Sequence, residues 1–338
     1  MDGRIHLDAI LRDIPRLRKL KVLVVGDLFL DEYIETEMFE ISKEGPMPVL
    51  RFESKAQAAG AAGNLASTIR GLGAQVSLVA LVGQDPNGRV LLERLGAKGI
   101  RTTGILEDPE QPSLTYTKFR ARVPNTPSRE IYRMDVLPSG PLGPEREKRV
   151  LAALEREARR ADAIVVLDQI DHLITGPILK EVPRLARKLG IPCQGSSRTR
   201  IGLFRRFDLI TPNDAEALGA VGGSRRDVRS LGERLRTLGR HRQVILTLGP
   251  DGMALFPRRG PMVRLPTFAR EVVDVTGAGD SVSAVAALGN ILGWDLASIG
   301  WAASCAAAVV ISKVGTYHIG AADLEQAIAD SMQRREKQ

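Results

Sequence analysis

Short apolar runs recur along the chain and alternate with stretches of helical spacing. Lys21–Gly26 (KVLVVG) has apolar residues at both parities, as a strand buried on both faces requires. Gln75–Gly83, Ala163–Asp168, Asp208–Thr211 and Gln243–Leu248 read the same way. Between them, Gly63–Leu72, Gly88–Lys98, Pro144–Arg160, Thr175–Leu189 and Ser230–Leu238 are helical candidates. This alternation predicts an α/β fold, a mostly parallel central sheet covered by helices on both faces. Ile10, Ile14 and Leu17 predict a short amphipathic helix leading into the first strand. Trp301–Ile311, short and alanine-rich, predicts a buried helix.

Two excursions break the pattern. Residues 31–53 and 114–136 carry alternating stretches such as Thr115-Tyr116-Thr117-Lys118-Phe119-Arg120. They predict antiparallel strands of a second, smaller sheet, a lid over the main one. No internal repeat, low-complexity segment or linker divides the chain, so residues 1–338 are expected to form a single domain.

The chain has 338 residues, 43% of them hydrophobic and 26% charged, enough to bury a full core and too apolar for disorder. Two cysteines, Cys193 and Cys305, exclude a disulfide scaffold and suggest a reducing compartment. No run approaches the roughly 18 apolar residues of a membrane span, and the charged N-terminus lacks a signal-peptide core. The cytoplasm is the expected location, with no membrane partner. Net charge is +8, which admits nucleic acid or an anionic small substrate. Aromatics are only 4%, too few for stacking single strands. The basic stretch Ser224–Arg242 spaces Val228, Leu231, Leu235 and Leu238 as the buried face of a helix. Its arginines then form the solvated face, and no nucleic-acid partner is expected.

Candidate chemistry concentrates at Asp274-Val275-Thr276-Gly277-Ala278-Gly279-Asp280. Val272 and Val273 predict a strand that runs into glycines and then into a helix. Such a layout aims free backbone N–H groups at one spot, where a phosphoryl group would be stabilised. Asp280, at the helix start, would orient a hydroxyl or accept its proton. A plain glycine-rich turn with Asp280 as its cap fits the same residues. A second small-residue run, Ala59–Ala66, holds Asn64, whose amide both donates to and accepts from sugar hydroxyls. Taken by itself, that run reads first as a tight helix start packed on the sheet. No Walker motif and no G-x-G-x-x-G fingerprint occur. His6, His172, His241 and His318 are isolated, so no histidine metal site is expected, and neither cysteine has a partner base.

Taken together, these motifs resemble the ribokinase (PfkB) family of carbohydrate kinases. Ala59–Gly83 fits the first family signature, and Asp274–Asp280 fits the second apart from Val285, where a small residue is usual. Pro212-Asn213-Asp214-Ala215-Glu216 resembles the family's N-x-x-E motif, Thr247-Leu248-Gly249-Pro250-Asp251-Gly252 its nucleotide-side strand and turn, and Lys313-Val314-Gly315-Thr316 its C-terminal nucleotide segment. The matches run in family order from about Lys21 to Ile319. Val24–Tyr33, Ile41–Val49, Thr117–Arg120 and Tyr132–Asp135 most resemble the subgroup that phosphorylates heptose 7-phosphate at its anomeric carbon.

The resemblance implies a ribokinase-like three-layer α/β/α fold with a β-sheet lid, and phosphoryl transfer from ATP with Mg2+. The acceptor is a small-molecule sugar or sugar phosphate. By resemblance, Asp280 is the base, and Gly277, Ala278 and Gly279 form an anion hole. Asn213, Asp214, Ala215 and Glu216 serve the magnesium–phosphate side, Glu216 through water. Thr247, Gly249 and Gly252 lie along the nucleotide. Asp31, Gly60 and Asn64 bind the sugar. Lys118, Arg120 and Arg133 are candidates to grip a substrate phosphate, although exposed strands also carry such residues to protect an edge. Lid sheets of this family commonly pair, so a homodimer is expected.

Departures fall on the acceptor side. Leu167-Asp168-Gln169-Ile170-Asp171-His172 replaces the subgroup's Ser-Asp-Tyr and Lys-Gly. Gln194-Gly195-Ser196-Ser197-Arg198 replaces its Asp-Pro-Lys, and Gly60-Ala61 stands for two glycines. Another acceptor (ribose, fructose or a nucleoside) and a non-catalytic ligand-binding regulator on the same scaffold therefore stay open.

Overall fold

The structure, a computed structural model, describes residues 5–122, 128–138, 140 and 142–335. Residues 123–127, within the second excursion, lie outside the described part. Among the described residues the strands are β1 (Lys21–Gly26), β2 (Leu28–Ile41), β3 (Pro48–Ala61), β4 (Gln75–Gly83), β5 (Arg101–Asp108), β6 (Leu114–Arg122), β7 (Arg129–Val136), β8 (Ala163–Asp168), β9 (Cys193–Ser197), β10 (Leu209–Ile210), β11 (Gln243–Thr247), β12 (Met253–Phe256) and β13 (Val263–Leu265). The α-helices are α1 (Leu7–Asp13), α2 (Ala62–Gly71), α3 (Pro86–Ala97), α4 (Pro144–Ala158), α5 (Gly176–Leu189), α6 (Asp214–Val221), α7 (Val228–Gly239), α8 (Ala278–Ile291), α9 (Leu296–Ile311) and α10 (Ala321–Arg335).

Nine strands form the main sheet in the order β13-β12-β11-β10-β9-β8-β1-β4-β5. It is parallel from β5 to β11, while β12 and β13 add antiparallel at one edge. The period of two in strand side chains explains the three layers. Val22 and Val24 of β1 pack with α2, α8 and α9 on one face, whereas Leu23 and Val25 pack with α4, α5 and α7 on the other. Val165 and Leu167 against Ile164 and Val166 repeat the division on β8. Each face buries its own apolar core, as a doubly covered parallel sheet requires. Among the described residues no helix is long and apolar enough to cross a membrane.

The second sheet, β3-β2-β6-β7, is the expected lid. It corrects the expectation of antiparallel strands throughout. β2–β3 and β6–β7 are antiparallel hairpins, but β2 and β6 pair in parallel, Asp31 opposite Tyr116 and Tyr33 opposite Lys118. The reason is topological: β2 continues from β1 and β6 follows β5, and all the strands from β5 to β1 run the same way. The first hairpin is also longer than expected, paired from Leu28–Ala61 at its root. The lid therefore grows directly out of the end of β1.

Two further expectations are corrected. Val272 and Val273 form no strand. Both are exposed, and the N–H groups of Val273 and Asp274 reach the Ile311 carbonyl instead of a neighbouring strand. With β13 ending at Leu265, that segment has no strand to pair with, and β-propensity alone does not make a strand. Leu238 is 44% exposed rather than buried. In the last turn of α7 it is Gly239 that faces inward, pressed against the His241 ring. Leu231 and Leu235 are buried as expected. The lead-in helix and the α9 helix also match the sequence reading, and both cysteines are free and buried.

Candidate active site

The ends of the parallel strands converge on one cleft of about 360 Å³, lined by Leu167, Gln169, Ser196, Arg198, Thr211, Asn213, Glu216, Thr247, Gly279 and Asp280. Leu167 is the last residue but one of β8 and Gln169 follows that strand; Ser196 and Arg198 come at the end of β9, Thr211 and Asn213 after β10, Thr247 at the end of β11. All lie at the carboxyl ends of their strands. β4 and β5 extend the sheet on one side of β1 and β8 on the other, so the switch in strand order falls beside the cleft.

The helices α8 and α6 start against this cleft, and α2 starts beside it. Gly277 precedes α8 at φ 83°, a left-handed conformation that glycine adopts without strain. It turns the chain so that Asp280 stands in the first helical turn. Among the described residues the N–H groups of Gly277, Gly279 and Asp280 have no hydrogen-bond partner, while that of Ala278 reaches the Val275 carbonyl at 3.3 Å. Unpaired N–H groups at a helix start favour an anion. Asn64, in the first turn of α2, donates its Nδ2 to Asp280 Oδ2, and its own Oδ1 is buried without a partner. Burial pushes the Asp280 carboxyl up to about 6; the Asn64 amide pulls it down and the nearby Asp31 charge raises it.

The acceptor side is built by the lid root. Asp31 lies beside Lys118, Oδ1 to Nζ 3.5 Å, and burial raises its carboxyl above the ordinary range. Gly60 lies against this carboxylate, and any side chain there would collide with it. Ala61 caps α2 at φ 47°, ψ −117°, a conformation that glycine takes more easily. Arg133 forks onto Asp135 at 2.7 and 2.8 Å and lies 4.9 Å over the Tyr116 ring, which stacks on Phe29. Arg120 is occupied by Glu35 at 2.9 Å and by the Ser128 carbonyl.

On the other side, Asn213 caps α6 in a reciprocal capping box with Glu216. The Glu216 oxygens accept from the Asn213 N–H at 2.9 Å and from its Nδ2 at 3.0 Å. Burial raises the Glu216 carboxyl, and the Arg198 charge partly offsets this. The pair faces the cleft with Thr247, whereas Asp214 is turned to Arg225. Gly249 and Gly252, at φ 60° and 80°, shape the turn after β11 without lining the cleft.

The structure thus gathers Asp280, Gly279, Asn213, Glu216 and Thr247 on one cleft, and links Asn64 and Asp31 to Asp280. Gln169, Ser196, Arg198 and Thr211 are cleft residues that motif reading did not name as site residues. Their signal was position, each at or just beyond the carboxyl end of a buried strand. Among the described residues no group of three or more His, Cys, Asp or Glu could hold a metal ion. Glu216 with Asn213 fits Mg2+ that keeps its waters and phosphate ligands, which needs no protein cage.

Comparison with known proteins gives the family and the fold. The family model described as pfkB family carbohydrate kinase matches residues 19–322. The Bifunctional protein HldE of Geobacter metallireducens is 35% identical over 314 residues, 91% of this chain and 62% of that protein. That of Geobacter sulfurreducens is 36% identical over 312 residues, 90% of this chain and 62% of that protein. The chain therefore spans about 62% of the length of these curated relatives. Arabidopsis thaliana ribokinase complexed with ribose and ATP superposes with a TM-score of 0.71 at 18% identity, covering 91% of this chain and 98% of that one. Escherichia coli phosphofructokinase-2 in complex with fructose-6-phosphate gives 0.73 at 16%, covering 92% and 98%. These two likenesses establish the ribokinase-like fold.

Proposed function

The chain belongs to the pfkB family of ATP-dependent carbohydrate kinases, and from that premise we propose that it phosphorylates a sugar phosphate, heptose 7-phosphate at its anomeric carbon. One observation carries the catalytic part: a half-buried carboxylate, Asp280, shares a helix start with unpaired N–H groups, and desolvation pushes it up to about 6. A base of that strength accepts a hydroxyl proton at neutral pH while staying mostly ionised.

Magnesium-ATP, when bound, supplies the phosphoryl group and neutralises its charge. The protein's part is positioning. The N–H groups of Gly277 and Gly279 hold phosphoryl oxygens, with Ala278 between them giving up its long bond to Val275. Asn213 and Glu216 would hold magnesium through water, and Thr247 would flank the nucleotide. Asp31 and the free Oδ1 of Asn64 accept from acceptor hydroxyls, which aims one hydroxyl at Asp280. Lys118, beside Asp31, and Arg133, on giving up its fork onto Asp135, grip the acceptor's phosphate; Arg120 holds the lid strands together through Glu35. The lid excludes water from the transfer.

The heptose assignment rests on the subgroup resemblance of the lid and first-strand motifs and on the HldE relatives. The lid leaves Phe39, Ile41, Met47, Phe52, Tyr132 and Met134 exposed. Pairing with a second copy covers them, and we assign the chain a homodimer, checked by sedimentation. ADP release from magnesium-ATP across sugars and sugar phosphates tests the acceptor. Turnover confined to heptose 7-phosphate is the expected result. Turnover on ribose, fructose or a nucleoside overturns the acceptor and leaves the kinase; ATP binding without turnover on any of them supports a regulator instead.

A further inference from the structure

We infer that Asp27 is a positioning residue that clamps the loop 168–173 and thereby sets Gln169 as the acceptor-recognising side chain of the cleft. The inference rests on the kinase reading above. Asp27 follows β1, is 1% exposed, and has no cationic partner among the described residues. A carboxylate buried without a counter-charge is costly unless hydrogen bonds satisfy it. Here three backbone donors do so. Oδ2 accepts from the N–H groups of Gln169 at 2.9 Å and Ile170 at 3.0 Å, and Oδ1 accepts from Leu173 at 2.9 Å. The Asp27 carbonyl meanwhile accepts from Ala62 at 3.0 Å, at the start of α2. One residue thus ties the lid root and the helix bearing Asn64 to the loop after β8.

The loop is held again from its other side. Arg200 forks onto Asp168 at 2.6 and 3.1 Å, pairs with Asp171 and donates to the Ile174 carbonyl at 2.9 Å. Asp171 has φ 63°, a left-handed conformation that its surroundings must impose. Within the loop 168–173, Gln169 alone lines the cleft with Asp280, and its side-chain amide has no partner among the described residues. A neutral amide that both donates and accepts suits a sugar hydroxyl rather than a phosphate.

The test compares wild type with Asp27→Asn, Arg200→Gln and Gln169→Ala by two readouts. Steady-state kinetics use magnesium-ATP and each acceptor that wild type turns over; hydrogen exchange follows the amides of residues 169, 170 and 173. Asp27→Asn replaces an accepting oxygen with a donor. It is expected to speed exchange in the loop and to raise the acceptor KM about tenfold, with the ATP KM unchanged. Gln169→Ala is expected to raise the acceptor KM alike without altering exchange. Arg200→Gln loosens the same loop should Asp27→Asn fail to fold. Unchanged exchange in the clamp variants, or an unchanged acceptor KM in Gln169→Ala, overturns the inference; so does an equal rise in both KM values. Absence of wild-type turnover defeats the kinase reading, while exchange still decides the clamp.

Discussion

Asn64 donates its side-chain amide to the Asp280 carboxylate, joining the first turns of two helices 216 residues apart in the chain. The amide lowers the carboxyl that burial and the Asp31 charge raise. Asn64→Ala is expected to move the acid limb of the kcat/KM profile to higher pH. It should also lower kcat/KM by about tenfold or more through lost orientation. A pH–rate profile of both proteins checks this.

Asp280 also sets a pH dependence of stability. Its carboxyl titrates near 6 in the fold against 3.8 when unperturbed. Between those values the folded state binds the extra proton, so this group's contribution falls as pH rises from 3.8 to about 6. Asp280→Asn removes that penalty. Thermal melts should show the variant more stable than wild type above about pH 6, with the gain gone below 3.8.

Ala61 holds φ 47° at the entrance to α2. Relieving that conformation is worth about 1–3 kcal/mol, offset by the unfolded-state entropy of glycine. Ala61→Gly should therefore stabilise the protein by about 1 kcal/mol, read from denaturant unfolding.

Gly60 leaves no room for a β-carbon beside Asp31. Gly60→Ala should displace that carboxylate and raise the acceptor KM about tenfold, with the ATP KM unchanged. Steady-state kinetics with each substrate varied in turn decide it.

The sheet was legible because strands buried on both faces carry apolar residues at both parities, as in Lys21–Gly26 and Gln75–Gly83. Asp280 and its glycines were legible because a left-handed turn into a helix restricts residue type. Less was legible where tertiary context decides. Val272 and Val273 read as a strand, yet no neighbouring strand reaches them. Leu238 fits the apolar stripe of α7, but Gly239 takes the inward place. Gln169 and Arg198 lie in the two segments that depart from the subgroup's acceptor-side pattern, and the convergence of strand ends puts them in the cleft. Whether Asp27 faces a cation or a set of amides was beyond any periodicity.

The most direct measurement is the rate of phosphoryl transfer by Asp280→Asn, with magnesium-ATP binding measured on the same preparation. Loss of an acid–base group costs about 10²–10⁴-fold. Transfer should fall by at least that factor while ATP still binds as in wild type. Transfer at the wild-type rate would contradict the role of Asp280 as the base and leave it a helix cap.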